Sequence, residues 1–311
     1  MLPGFVAPMG REVEQSSNRK KRECHSIFIS DRPFQQDVIS IIPKTPSASG
    51  QVARPMTQAE PSQTSPAAGD TGAAALSARL QGLRGLEDRL AAARAAIPGR
   101  IAFATSLGME DQAILHAIAA RRLDIEVLTL DTGRHFPETL DTLDRSVSRY
   151  GIAIRLVAPD AREVEALVAR DGVMGFRVSV DSRKACCDVR KVRPLNRALR
   201  GASAWVTGLR RGQSAGRSDV PLAAWEAGEQ RLKINPLADW PGERVEAYIE
   251  ANGIPVNALH ARGFPSIGCQ PCTRAIRPGE DIRAGRWWWE NEDGKECGLH
   301  GRPRVRKEAA A

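Results

Sequence analysis

The chain has 311 residues, of which 42% are hydrophobic and 26% charged, enough for one large or two small folded domains with a real core. It has no uninterrupted apolar run of membrane-spanning length and no basic segment leading into an apolar stretch at its N-terminus, which argues against a membrane span and a secretory signal and for a cytoplasmic protein. Six cysteines are too few for a disulfide scaffold, and 45 basic against 37 acidic residues (net charge +8) favour an anionic partner such as a nucleotide, though so small an excess also serves solubility.

Residues 1–75 carry no sustained apolar period. Pro43 to Gly72 is dominated by Pro, Ser, Ala, Thr, Gln and Gly, a composition that buries too little surface to offset its ordering entropy. The segment is therefore expected to be disordered. Met56 lies inside it, and residues 1–55 read as an extension upstream of everything that looks folded. Residues 76–290 are expected to form the folded domain and 291–311 a C-terminal tail.

Leucines at 76, 80, 83, 86 and 90 predict one amphipathic helix over Leu76–Ala96, ended by Pro98-Gly99. Strands are predicted at Arg100–Thr105, Ile125–Leu130, Ile152–Val157 and Trp205–Leu209. Helices are predicted at Asp111–Arg121, from Pro137 to about Tyr150, at Ala161–Ala169 and at Val192–Arg200; Pro137 suits a first helical position. Strands alternating with helices imply α/β architecture with a parallel, doubly wound sheet. Ligands of such sheets sit beyond the carboxyl ends of the strands. The loops there are Ser106–Glu110, with Ser106 and Gly108; Leu130–Arg134, with Gly133; and Gly208–Ser214, with Arg210 and Arg211. A hydroxyl and a glycine before a helix suit a phosphate, and paired arginines suit an oxyanion. No GxxxxGK[ST] is present, so this is not a Walker-type ATPase.

Cys186 and Cys187 are adjacent, Cys269-Gln270-Pro271-Cys272 is a CxxC, and Cys297 stands alone in Glu296-Cys297-Gly298-Leu299-His300. Two thiol pairs suggest zinc, an iron–sulfur cluster, or a redox CxxC beside an unrelated pair. Adjacent cysteines fit one small ion poorly, whereas a cubane offers each thiolate its own iron.

The segments ATSLGMEDQ, LTLDTGRHFPETL, CCDVRKVRPL, VTGLRRGQS, IGCQPCTRAIRPGEDIRAGRWWWE and ECGLH together resemble the assimilatory adenylyl-sulfate reductases. These are the bacterial branch of the adenylyl- and phosphoadenylyl-sulfate reductases. The resemblance runs from about Leu76 to Pro303; Met109 stands where alanine is common. It implies a fold like that of the adenine-nucleotide α-hydrolases. It implies a [4Fe–4S] cluster on Cys186, Cys187, Cys269 and Cys272, with Cys297 as nucleophile. Lys191, Arg283, Arg286 and His300 would surround the phosphosulfate, and the SLGMED, LDTGR and GLRRGQS loops would hold the nucleotide.

A thiolate attacking the sulfuryl sulfur of adenylyl sulfate expels AMP and leaves S-sulfocysteine. Lys295 and His300 favour ionised Cys297 and Glu296 opposes them, while Gly294, Gly298 and Gly301 let the tail swing. The ligand assignment leaves no thiol in the folded region to release sulfite, so a dithiol protein such as reduced thioredoxin, or a glutaredoxin-like one, is required. Arg283 and Arg286 would share one face if their segment is helical, and Trp287-Trp288-Trp289 read as packing. The rival substrate is the 3′-phosphorylated nucleotide, whose reductases lack the CC…CxxC ligands. A metal-containing nucleic-acid-binding protein would leave ECGLH without a purpose, and a tRNA-thiolating relative should show an SGGxDS-type loop. Neither nucleic acid nor a membrane is expected as a partner; the sequence leaves open whether the chain forms a homo-oligomer.

Overall fold

The computed structural model describes residues 66–213, 217–290 and 299. Among them lie eight helices, α1 (Pro66–Gln81), α2 (Leu86–Ala96), α3 (Met109–Ala120), α4 (Pro137–Tyr150), α5 (Ala161–Asp171), α6 (Val180–Cys187), α7 (Arg193–Leu199) and α8 (Gly242–Ala251). The strands are β1 (Ile101–Thr105), β2 (Glu126–Leu130), β3 (Ile154–Val157), β4 (Ala204–Val206), β5 (Ala223–Glu226) and β6 (Arg231–Ile234). They form one sheet in the order β3-β2-β1-β4-β6-β5. Every neighbouring pair is parallel except the edge pair β5–β6.

Alternation along β1 explains the two layers of core. Ile101 and Phe103 face a cluster built with Leu80, Leu86, Leu90, Ile114, Leu115, Val245 and Ile249 of α1, α2, α3 and α8. Ala102 faces the other way, with Leu128 and Trp205, onto Leu195 and Leu199 of α7. Local chemistry sets the helix ends. Asp160 caps α5 by accepting from the amides of Arg162 and Glu163, and Ser179 caps α6 through Ser182. Pro137 opens α4, and Gly151 closes it in the left-handed conformation at φ 60°.

Several expectations need correction. The predicted helix Leu76–Ala96 is two helices separated at residues 82–85, and α1 begins at Pro66, ten residues inside the segment read as disordered. Glycines at 82 and 85 break a leucine period that continues through them. The helix expected at Val192–Arg200 is preceded by α6 and by a π-helical turn over Asp188–Val192. The strands β5 and β6 and the helix α8 had no counterpart in the reading. Arg283 and Arg286 lie in a turn, with the Arg286 amide donating to the Arg283 carbonyl, not on a helix. Residues 1–65, Cys297 and His300 lie outside the described residues.

Candidate active site

The carboxyl ends of β1, β2 and β4 open onto a cavity of about 840 Å³. Of the residues singled out from the sequence, Ser106, Gly108, Leu130, Lys191, Gly208, Arg210, Arg211, Arg283 and Arg286 line it. This cavity lies beyond the carboxyl ends of the strands, where sheets of this kind hold ligands. One wall is apolar, made by Ala104, Leu130, Leu195 and Trp205, with Leu299 packed on it.

The first loop does not offer its donors as expected. Both the amide and the hydroxyl of Ser106 donate to Asp111 Oδ2, each at 2.6 Å, and the Gly208 amide also bonds this carboxylate. Asp111 thus fills the anion cradle with the chain's own charge and ties the loop after β1 to the loop after β4. Burial pushes its carboxyl up to about 6, and the Ser106 hydrogen bonds only partly oppose that. Nor is Arg210 an idle cation. Its guanidinium pairs with Glu110 at 2.8 Å and donates to the Trp240 carbonyl at 3.3 Å. Arg211 Nε donates to the Val220 carbonyl at 2.9 Å. Asp111 and Glu110 were missed as organising residues. The only signal for them was two adjacent acids at a helix N-terminus.

The second loop divides its duties. Leu130 faces the cavity, but Gly133 and Arg134 are not among its lining residues. Arg134 instead lies over the Phe176 ring at 4.8 Å and donates to the Val173 carbonyl at 2.6 Å. Its carbonyl accepts from the Gln270 amide at 2.8 Å, inside the CxxC. The Sγ of Cys269 is hydrogen-bonded to Thr132 Oγ1 at 3.3 Å. This loop therefore joins the cavity end of the sheet to the cysteines.

Cys186, Cys187, Cys269 and Cys272 are free thiols; the last three are buried and Cys186 is half-buried. Cys269 and Cys272 pack with Phe176 and Trp287, and Cys186 packs against the same group. The thiols interact through their charges. Burial, then Cys269 and Cys187, push Cys272 up to about 12. Burial also raises Cys186, although Arg134 and Arg190 oppose it. Burial acts upward on Cys269 too, but Lys191, Thr132 and Arg286 outweigh it and hold this thiol below its usual value. Arg183 bonds Cys187. Four thiols surrounded by five cations suit an anionic iron–sulfur group, since ionised cysteines need that compensation. Among the described residues, no three His, Cys, Asp or Glu side chains close on a point that would hold a single metal ion.

Lys191 links the two regions, touching Cys269 while lining the cavity. The π-helical turn between α6 and α7 carries it there. Arg286 also bridges, because it lines the cavity and lies over the Trp287 ring at 4.7 Å. Trp287 is fully buried, as expected of a packing residue, whereas Trp288 is exposed.

Comparison with known proteins places this geometry. Residues 100–275 match the phosphoadenosine phosphosulfate reductase domain. An adenosine 5′-phosphosulfate reductase of Rhizobium meliloti (strain 1021) is 56% identical over 206 residues, covering 66% of this chain and 78% of the relative. One from Agrobacterium fabrum (strain C58) is 54% identical over 227 residues, covering 73% of this chain and 86% of the relative. The crystal structure of a phosphoadenylyl-sulfate reductase from Candida auris, in a phosphate complex, aligns with TM-score 0.56 and 25% identity over 65% of this chain and 95% of that one. The sheet, the site at its carboxyl edge and these likenesses agree: the chain belongs to the phosphoadenosine phosphosulfate reductase domain family, among the adenosine 5′-phosphosulfate reductases.

Proposed function

We propose that the protein reduces adenosine 5′-phosphosulfate to sulfite and AMP in sulfate assimilation, using a dithiol protein of the thioredoxin kind. The observation that carries the reading is one cavity in which Lys191, Arg283 and Arg286 meet the loops after β1 and β4, beside the grouped thiols of Cys186, Cys269 and Cys272, with Cys187 acting on Cys272. The apolar wall of Leu130, Leu195 and Trp205 suits a purine, and the three cations suit the phosphosulfate.

In this reading Cys186, Cys187, Cys269 and Cys272 hold a [4Fe–4S] cluster. When bound, the cluster supplies a fixed charge and a rigid frame beside the cavity. Lys191 and Arg286 orient the phosphosulfate and spread its negative charge. The Cys297 thiolate attacks the sulfuryl sulfur. The S–O bond to phosphate breaks, AMP leaves with the electron pair, and Cys297 carries the sulfonate. One thiolate of the dithiol protein then attacks Cys297 Sγ, expelling sulfite and forming a mixed disulfide. Its second thiol releases Cys297, and the partner leaves oxidised by two electrons. The family resemblance would add His300, which lies outside the described residues, to these cations. The donor and the free thiols belong in a reducing compartment, the cytoplasm.

The test is anaerobic turnover with adenosine 5′-phosphosulfate and reduced thioredoxin, with metals measured on the same sample. Sulfite and AMP should form in equal amounts, with about four irons and four sulfides per chain. Stoichiometric zinc without broad visible absorbance would overturn the cluster assignment, and absence of sulfite would overturn the activity.

A further inference from the structure

His260 lines the cavity but has no part in the chemistry above. It opens a short helical turn, His260–Arg262, that Gly263 closes in the left-handed region at φ 82°. One hydrogen bond within this segment pins its ring: Nδ1 lies 2.9 Å from the Phe264 carbonyl oxygen. A carbonyl only accepts, so Nδ1 carries the proton and Nε2 of the neutral ring carries a lone pair. Nε2 is shielded from water and has no hydrogen-bond partner among the described residues. Burial favours the neutral ring, outweighing the Phe264 carbonyl and Glu110. Glu110 is already paired with Arg210 at 2.8 Å, so it does not hold a proton on Nε2. Phe264 packs edge-on against Phe136, with centroids 5.7 Å apart, which fixes the segment that holds the ring. An acceptor withdrawn from water is costly without a partner, and one at a cavity wall finds its match in a donor on the ligand.

We propose that His260 Nε2 accepts a hydrogen bond from a ribose hydroxyl of the bound nucleotide, so that His260 reads the sugar; this rests on the reading of the cavity as a nucleotide site. The ligand has few donors. Adenosine 5′-phosphosulfate offers hydrogens only from the adenine amino group and the ribose hydroxyls, because its phosphate and sulfate oxygens are ionised and only accept. A lone pair turned on that anionic end would repel it. Placement decides between the amino group and the sugar. The apolar wall that suits the purine, with Leu130, Leu195 and Trp205, is on the α7 side of the sheet. His260 is near Glu110 at the start of α3, and α3 packs on the other side. Beyond His260 the chain runs through Pro265 to Ser266, whose Oγ accepts from Arg286 Nη1 at 3.4 Å. With the purine on the apolar wall, the sugar is the donor-bearing group that reaches this side. The ring is held in place in advance, so it selects for the hydroxyl without reorganising.

The experiment uses the full-length, cluster-loaded chain as wild type, His260→Phe and His260→Gln. Affinities for AMP, 2′-deoxy-AMP, 3′-deoxy-AMP and inosine 5′-monophosphate are measured by calorimetry, with iron content and melting temperature alongside. In wild type, removal of one of the two ribose hydroxyls should weaken binding about tenfold; the 2′ and 3′ arms identify which one is read. His260→Phe should weaken AMP binding by about the same factor, and the matching deoxy-nucleotide should then bind within about twofold of AMP. His260→Gln keeps an acceptor near the position of Nε2 and should recover most of the affinity and of the discrimination. Wild type indifferent to both deoxy changes would overturn the proposal without any variant. So would equal losses across AMP and both deoxy-nucleotides in His260→Phe, the mark of a packing role alone. Coupling to inosine 5′-monophosphate instead would give the lone pair to the adenine amino group and overturn the sugar assignment. If wild type binds no AMP, the nucleotide reading itself fails; AMP binding without the coupling sinks only the role of His260.

Discussion

Asp111 shows what a buried carboxylate costs and what it does. It is 7% exposed, and its carboxyl is pushed up to about 6 by burial against the opposing hydrogen bonds of Ser106. Its value in the folded chain lies above the ordinary one of about 3.9. The charged form therefore opposes folding. That penalty is absent below about pH 4, grows as the pH rises towards 6, and is complete above it. The rise from the ordinary value to about 6 corresponds to about 3 kcal/mol. Asp111→Asn removes the titration. The unfolding free energy of wild type, measured against Asp111→Asn, should fall by up to about 3 kcal/mol between pH 4 and pH 7; a flat difference would show that this carboxyl does not titrate there. What the group does in return is hold Ser106 and Gly208 together at the cavity.

At the level of elements, the site depends on how closely two loops approach. A Cβ on Gly208 would clash with Asp111 Oδ1 and lie 3.0 Å from Glu110 Cβ. Gly208→Ala should therefore drive the loops after β1 and β4 apart. We expect a stability loss of about 1–3 kcal/mol and AMP binding weakened by about tenfold, as for a displaced positioning group. Unchanged AMP affinity by calorimetry would show that the loops bind independently. Part of this level was legible in sequence, because Pro137 is helix punctuation with a local mechanism; Gly151 and Asp160 act in the same local way but were not read. The rest was set by tertiary context. On α4, Thr139, Thr142 and Ser146 face inward, bonded to Asn257 and Gln112 among others, while Leu140 and Val147 are exposed. A rule of apolar-inside burial inverts that helix. The strands β5 and β6 are four residues each, too short for a period to register.

For the whole molecule, the boundary of the fold is the first question. Gly69 sits so tightly against Trp225 of β5 that a Cβ there would clash, and Ala73 is buried. A chain begun at Met56 keeps this helix and should match full-length activity and melting temperature. A chain begun at Leu76 loses the first ten of the 16 residues of α1 and should melt several degrees lower, since about 1 kcal/mol moves a domain of this size by 2–4 °C; equal melting of the two shortened chains would place the boundary after α1. The parallel sheet was legible because alternating strands and helices leave few topologies, and a cavity does open at its carboxyl edge. The Arg183–Glu290 pair was not, because nothing local marks two residues 107 apart as partners. The central claim is that the four grouped cysteines hold the cluster and Cys297 alone does the chemistry. The most direct measurement is to mix the protein with labelled adenylyl sulfate, without thioredoxin, and map the label by peptide. The account predicts about one sulfonate per chain on Cys297, discharged as sulfite by reduced thioredoxin, as a covalent intermediate requires. Label on the Cys269–Cys272 peptide, or normal turnover by Cys297→Ser, would contradict it.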